Sequence, residues 1–309
     1  MNFSEQRVNF HNEWPVKSTF KAEIHFAQRL SEKEQEAPFK PIPIGQNEDA
    51  DYQRCVGHLL DALDQLPYRP DHAFDHFFRI IDKAGSYFYP RKGISGIAQG
   101  ISEKLFNKNN REWENIIDII CNEMPLRVYE LLSKRLLSAS LLQYKDSVAL
   151  NKRAQKVLGK NLYSAFVEKY TKNCDGTIIE DAINKNYKKA ASLLKLYMSG
   201  KPGTKRRNIS NKYLDFTNEK NCPNCVQRSE VILSLLLFTI RNERFHGNII
   251  SQFRTSKANL ERYESYYYTM LLSYVYALSI LNLRFDCVSF HAILNGSKEN
   301  IFLQKEFFK

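Results

Sequence analysis

No stretch of this chain approaches the roughly 18 consecutive apolar residues that a bilayer-spanning helix requires. The most apolar run, Val231–Ile240, is far too short, so no membrane partner is expected. The opening "MNFSEQRVNFHNEWP" lacks an apolar core and a cleavage signal, which argues against a secretory leader. Cysteine is sparse, six in 309 residues. Without an export signal these read as reduced thiols and point to a cytoplasmic protein. Glycine and proline are also few, 12 and 10, which disfavours a β fold with many turns. Period-2 alternation over several strands and internal repeats are both missing. So are glycine-rich phosphate loops, Ser–His–Asp orders and paired-carboxylate motifs. Kinase, triad-hydrolase and nucleotidyl-transfer chemistry therefore have no foothold, and no cofactor is implied.

What is present is ordinary globular composition, 43% hydrophobic and 26% charged, with an excess of positive charge. A formal net charge of +11 suits a polyanionic partner, most simply RNA or DNA.

The apolar residues recur at helical spacing, and the expected fold class is all-α. Residues 1–50 read as an extended N-terminal arm, because "EAPFKPIPIGQNEDAD" combines three prolines, a glycine and an acidic patch. A helix follows in "YQRCVGHLLDALDQL", with Val56, Leu59, Leu60 and Leu63 spaced along it. The next opens at Pro70, suited to a first helical position, and aligns Phe74, Phe77, Phe78, Ile81 and Phe88. A helical pattern from Glu112 breaks at Pro125, where an interior hydrogen bond would be lost. "SGKPGTKRRNISNK" is a basic loop, and an apolar helix begins near Ser229. A long helix carries Leu260, Tyr263, Tyr267, Leu271, Tyr274, Leu278 and Leu281. Residues 51–309 are expected to form one helical domain, its core drawn from 51–84 and 225–283, with a helical insertion at about 85–205.

The candidate site is "TIRNERFHGN", which ends the apolar helix with Arg241, Asn242, Glu243, Arg244 and His246. The spacing of Arg241 and His246, with four residues between them, is weak by itself. The chain has 18 arginines and seven histidines, and Arg69–His76 and Arg284–His291 are similar pairs. Position distinguishes this pair, since it lies where a buried helix stops and Gly247 can supply a left-handed cap. On an uninterrupted helix the two side chains would point about 140° apart. Convergence therefore requires either that the helix end there or that a second copy supply the complement. Asn242 can fix a neighbouring side chain or backbone group.

"RNERFHG" resembles the signature of the HEPN superfamily, in which arginine, a polar residue, three variable positions and histidine close a helix. The flanking "LLLFTIRNERFHGN", "ISQFRTSKANLERY" and the long helix are similar to that family's last two helices. "LDALDQLPYRPDHAFDHFFRIIDKA" is similar to the first helices of some members. Glu243 departs from the pattern, since a second asparagine is frequent there. The resemblance implies a HEPN-like bundle and metal-independent endoribonuclease activity, with Arg241 and His246 catalytic and Asn242 orienting them. It also implies a homodimer with a composite site, an inhibitory or activating partner such as an antitoxin or defence sensor, and a role as toxin or antiviral effector. A non-catalytic RNA- or nucleotide-binding module and a helical assembly adaptor are the competing expectations.

Basic residues that could track RNA are Arg244, Arg254, Lys257 and Arg262 beside the corner, and Lys205, Arg206 and Arg207 in the basic loop. Cys222 and Cys225 have zinc-knuckle spacing but lack a second pair, and His72 and His76 lie at i, i+4 beside Asp71 and Asp75. The first reads as a turn with reduced thiols and the second as the polar face of a helix, so no metal is assigned. The tyrosines between Tyr263 and Tyr276 read as core and interface rather than as a base-stacking platform.

Overall fold

The computed structural model describes residues 2–16, 19–172, 180–204, 211–247 and 251–309. Among these the regular structure is helical and no strand occurs, so the fold is all-α. In chain order the first helices are α1 (Phe3–Asn12), α2 (Lys21–Glu32), α3 (Ala50–Asp64), α4 (Pro70–Gly85), α5 (Gly93–Lys108), α6 (Asn110–Glu123) and α7 (Leu126–Ala139). They are followed by α8 (Lys145–Leu158), α9 (Lys160–Thr171), α10 (Glu180–Met198), α11 (Cys225–Glu230), α12 (Phe238–Phe245), α13 (Leu260–Phe285) and α14 (Phe290–Phe308).

Helix α13 is the axis of the molecule. Every residue from Tyr267 to Asn282 is buried, so the helix is covered on all sides, as its nearly continuous apolar sequence requires. It packs against α4, α14, α5, α7 and α2. Its tyrosines belong to the core: Tyr268 donates to the Ile120 carbonyl at 2.7 Å and Tyr276 to the Ser229 carbonyl at 2.9 Å. Burying a phenol is tolerable because the hydroxyl finds an acceptor. The α3–α4 pair lies alongside, and Pro70 occupies the first turn of α4, where its missing N–H costs nothing. Pro125 ends the run that starts in α6 and serves as the N-cap residue of α7.

The expectation of an extended arm over residues 1–50 needs correction. Two helices occur there, and α2 buries Ala22, Phe26 and Leu30, spaced four apart along one face. Phe26 is fully buried, stacked on Tyr263 at 4.1 Å and lying 5.3 Å from Phe307. Only the proline-containing stretch before α3 is extended, and Ile42 there donates its N–H to the Tyr274 hydroxyl at 2.7 Å. The proline signal was real but local, and the short stripe of α2 was overlooked beside it. Helix α14 was also unassigned; its Phe307 is fully buried.

Residues Cys225–Phe245 form one continuous helical run in which Val231–Leu237 is wound as a π-helix. All seven residues of that segment are buried. Asn224 starts the run, accepting from the Gln227 N–H while the Gln227 side chain accepts from its own N–H. Among the described residues, no helix is long and apolar enough to cross a membrane.

The burial of Phe26 yields a direct test. Phe26→Ala should lower the unfolding free energy by about 3–5 kcal/mol, read from urea denaturation at an unchanged m-value. A loss below about 1 kcal/mol would mean that α2 is not part of the core.

Candidate active site at the end of helix α12

Helix α12 emerges from the buried π segment and changes character within one turn. Phe238, Thr239 and Ile240 are buried, Arg241 to Arg244 are half-buried, and Phe245, His246 and Gly247 are exposed. The helical winding persists to Phe245, and the His246 N–H still donates to the Asn242 carbonyl at 3.0 Å. Gly247 then adopts φ +68°, the left-handed stop that glycine accommodates at a C-terminus.

This stop comes too late to bring Arg241 and His246 together. It falls one residue beyond the histidine, so His246 sits at the helix cap with φ −85° and ψ 7° and remains close to the helical spiral. The wide angular separation of the pair is thus retained, correcting the idea that the helix end releases it within one chain. The Arg241 guanidinium turns instead to its own helix: it donates to Asn242 Oδ1 at 3.1 Å and lies over the Phe245 ring at 4.6 Å. Among the described residues Arg241 makes no ion pair. It lines a cavity of about 130 Å³ against α4, together with Asp75, Phe78, Arg79, Asp82 and Phe245.

Three ties hold α12 in place, and each uses a different helix. Arg244 forks onto Asp75 of α4, Nε to Oδ1 at 2.8 Å and Nη2 to Oδ2 at 2.6 Å, while Nη1 reaches Asp71 at 3.2 Å. Burial disfavours its charge, but the bond to Asp75 and the two carboxylate charges outweigh that and raise its pKa further. Asp71 is almost wholly buried; Arg69 and Arg244 overcome the burial penalty and hold its carboxyl below the usual range. From α7, Arg135 forms a two-point pair with Glu243, its second bond 3.0 Å long. From α8, Arg153 donates to the Thr239 hydroxyl at 3.2 Å and to the Ser234 carbonyl at 3.3 Å, and stacks over Phe238. Burial lowers the pKa of Arg153 to about 10, leaving it charged at neutral pH.

Arg135 and Arg153 lie on α7 and α8, and sequence reasoning missed both. The only available signal was Glu243 itself, a carboxylate in a basic corner that required a cation from elsewhere. The other predicted basic residues are dispersed. Arg244 is tied to Asp71 and Asp75 and lines the small cavity beside Arg241. Arg254 pairs with Glu23 at 3.0 Å and lies over the Phe10 ring, fastening the N-terminal helices. Lys257 and Arg262 line a groove of about 930 Å³ with Arg7, Arg127, Lys134 and Arg135, whose other lining groups include Glu130 and Glu243. Lys205, Arg206 and Arg207 lie outside the described residues.

The cysteine pair sits in a turn beside backbone carbonyls. Cys222 Sγ faces the carbonyls of Phe216 and Asn218 at 3.7 and 3.8 Å, and burial pushes the Cys225 thiol up to about 12. His72 and His76 separate as well: His72 turns toward Asp71 and Arg69, whereas His76 faces α3. Compared with family models, curated proteins and solved structures, the chain finds no match.

The buried position of Asp71 makes the site's stability dependent on pH. Because its folded pKa is depressed, its contribution is present above the unfolded value of about 3.9 and vanishes as pH falls through the lower folded value. Asp71→Asn should therefore be clearly less stable than wild type at pH 6, with the gap closing from about pH 4 downward in parallel denaturation curves. A gap that is constant with pH would exclude the ion pair as its source.

Proposed function

We propose that this chain is a HEPN-type endoribonuclease that works as a homodimer, with Arg241, Asn242 and His246 from two copies facing one another across the seam. The observation carrying this reading is that one helix end, braced from α4, α7 and α8, presents both an exposed imidazole and an Asn-oriented arginine. Preorganised charge of this kind suits a reaction whose main demand is stabilising a crowded phosphorane.

In this mechanism one His246 accepts the proton of a ribose 2′-OH, and the freed oxygen attacks the adjacent phosphorus. The phosphorus–O5′ bond breaks, and the leaving 5′ oxygen receives a proton from the His246 of the second copy. The Arg241 guanidinia neutralise the non-bridging oxygens. The products are a 2′,3′-cyclic phosphate and a 5′-OH, with no metal in the chemistry, and DNA is spared because it lacks the nucleophile. A second copy is required because Arg241 and His246 of one chain point apart. Phe245, 72% exposed next to the histidine, is a suitable apolar contact for that copy.

A restraining or activating partner and a role in toxin or antiviral systems follow from the family resemblance in "RNERFHG" alone. The groove carrying Lys134, Lys257 and Arg262 favours a second reading, RNA or nucleotide binding without cleavage.

The decisive assay incubates end-labelled RNA with purified protein in EDTA. Wild type should cut and leave cyclic-phosphate ends, while His246→Ala should lose at least about a hundredfold in rate. Salt-sensitive binding without any cleavage would replace the nuclease reading with the binding module. The composite arrangement has its own check: mixing Arg241→Ala with His246→Ala protein should restore part of the activity that neither possesses alone. If mixing restores nothing while the two variants still associate, the cross-chain assignment fails.

A further inference from the structure

Helices α3 and α4 bring together three side chains that take no part in the corner just described. His58 and Asp61 lie one turn apart on α3, and His76 reaches across from α4. The Nδ1 atoms of both histidines converge on a single oxygen, Asp61 Oδ2, at 3.6 and 3.5 Å. All three donor atoms lie within 4.8 Å of one another.

These distances are too long for N–H···O bonds, and both Nδ1 atoms are buried without a hydrogen-bond partner. Two buried ring nitrogens without partners are costly unless something else satisfies them. Their spacing matches a shared ion instead. Zinc bound at about 2.0–2.1 Å in a tetrahedron places neighbouring ligand atoms roughly 3.3 Å apart. The two histidine–carboxylate separations, 3.6 and 3.5 Å, are close to that ligand spacing.

We propose that His58 Nδ1, His76 Nδ1 and the Asp61 carboxylate form a zinc(II) site that clamps α3 to α4. The donor set of two imidazoles and a carboxylate suits zinc among the common ions, and magnesium or calcium, which favour all-oxygen shells, would bind poorly. Asp61 is 56% exposed, so a water molecule can complete the tetrahedron from the open side. The metal acts by cross-linking. Helix α4 also carries Asp71 and Asp75, which anchor Arg244, so the clamp steadies the mount of the corner without entering its chemistry.

The test uses the full chain, stripped of metal with a chelator that is then removed by dialysis, and zinc chloride as the probe. Isothermal titration should show one zinc per chain, with the melting temperature rising by about 4 °C at a free zinc concentration a hundredfold above Kd. Calcium and magnesium at the same concentrations should leave it unchanged. Replacement by cobalt(II) should give the intense visible absorption of a tetrahedral site.

Asp61→Asn, at an exposed position that should not disturb folding, and His76→Gln should each weaken zinc binding at least tenfold. His72→Ala, on the same helix but outside the cluster, should bind as wild type does. Absence of stoichiometric zinc binding by wild type, or binding that survives both Asp61→Asn and His76→Gln, would overturn the site. The readouts are binding, melting temperature and absorption, so they stand whether or not the chain cuts RNA.

Discussion

The Arg244 guanidinium lies between two carboxylates that come from far away in the sequence, Asp71 and Asp75 on α4, and the placement of the candidate site depends on this contact. Helix α12 is short and leaves the core after its first turn, so its own apolar burial ends at Ile240. Without a tie beyond that point, the last turn would be free to fray, as helix ends do. A bidentate arginine fixes both position and rotation, because its planar fork accepts a carboxylate in few orientations. The charges are only partly hydrated there, which makes the interaction stronger than a surface pair and makes loss of either partner costly.

Around that contact the molecule distributes its supports by chain region. Helix α4 provides the acceptors for Arg244, α7 and α8 provide Arg135 and Arg153, and the fully buried π-wound segment provides the base. Helices α7 and α8 thus supply two of the three ties. Glu243 has a structural use as the acceptor for Arg135. At this position asparagine could make a hydrogen bond but could not neutralise a half-buried guanidinium.

Much of the fold was legible in the sequence. The apolar stripe of α4, the proline at its start, the break at Pro125 and the buried tyrosines of α13 all follow from helical spacing and local backbone chemistry. Gly247 was also read correctly as a left-handed stop. Less legible were α2, whose stripe has three buried members beside a proline-rich stretch, and α14, which lay beyond the last assigned helix. In the site, the sequence singled out the residues of α12 but did not show which were partnered. Arg244 and Arg254 look like Lys257 and Arg262 on paper, yet the first two have carboxylate partners and the latter two line a groove.

The sequence alone determined the all-α class, the existence of the strongest helices and the stretch where a buried helix turns polar, because these depend on residues within one or two turns of each other. Tertiary structure decided everything that depends on distant partners: that Arg244 is a tie, that His76 faces His58 rather than His72, and that α7 and α8 brace the corner. It also decided that the left-handed stop at Gly247 falls one residue after His246, leaving Arg241 and His246 apart on the spiral. Spacing can say that two side chains are near in the chain, but the hydrogen bond from His246 N–H to the Asn242 carbonyl keeps them from meeting within it.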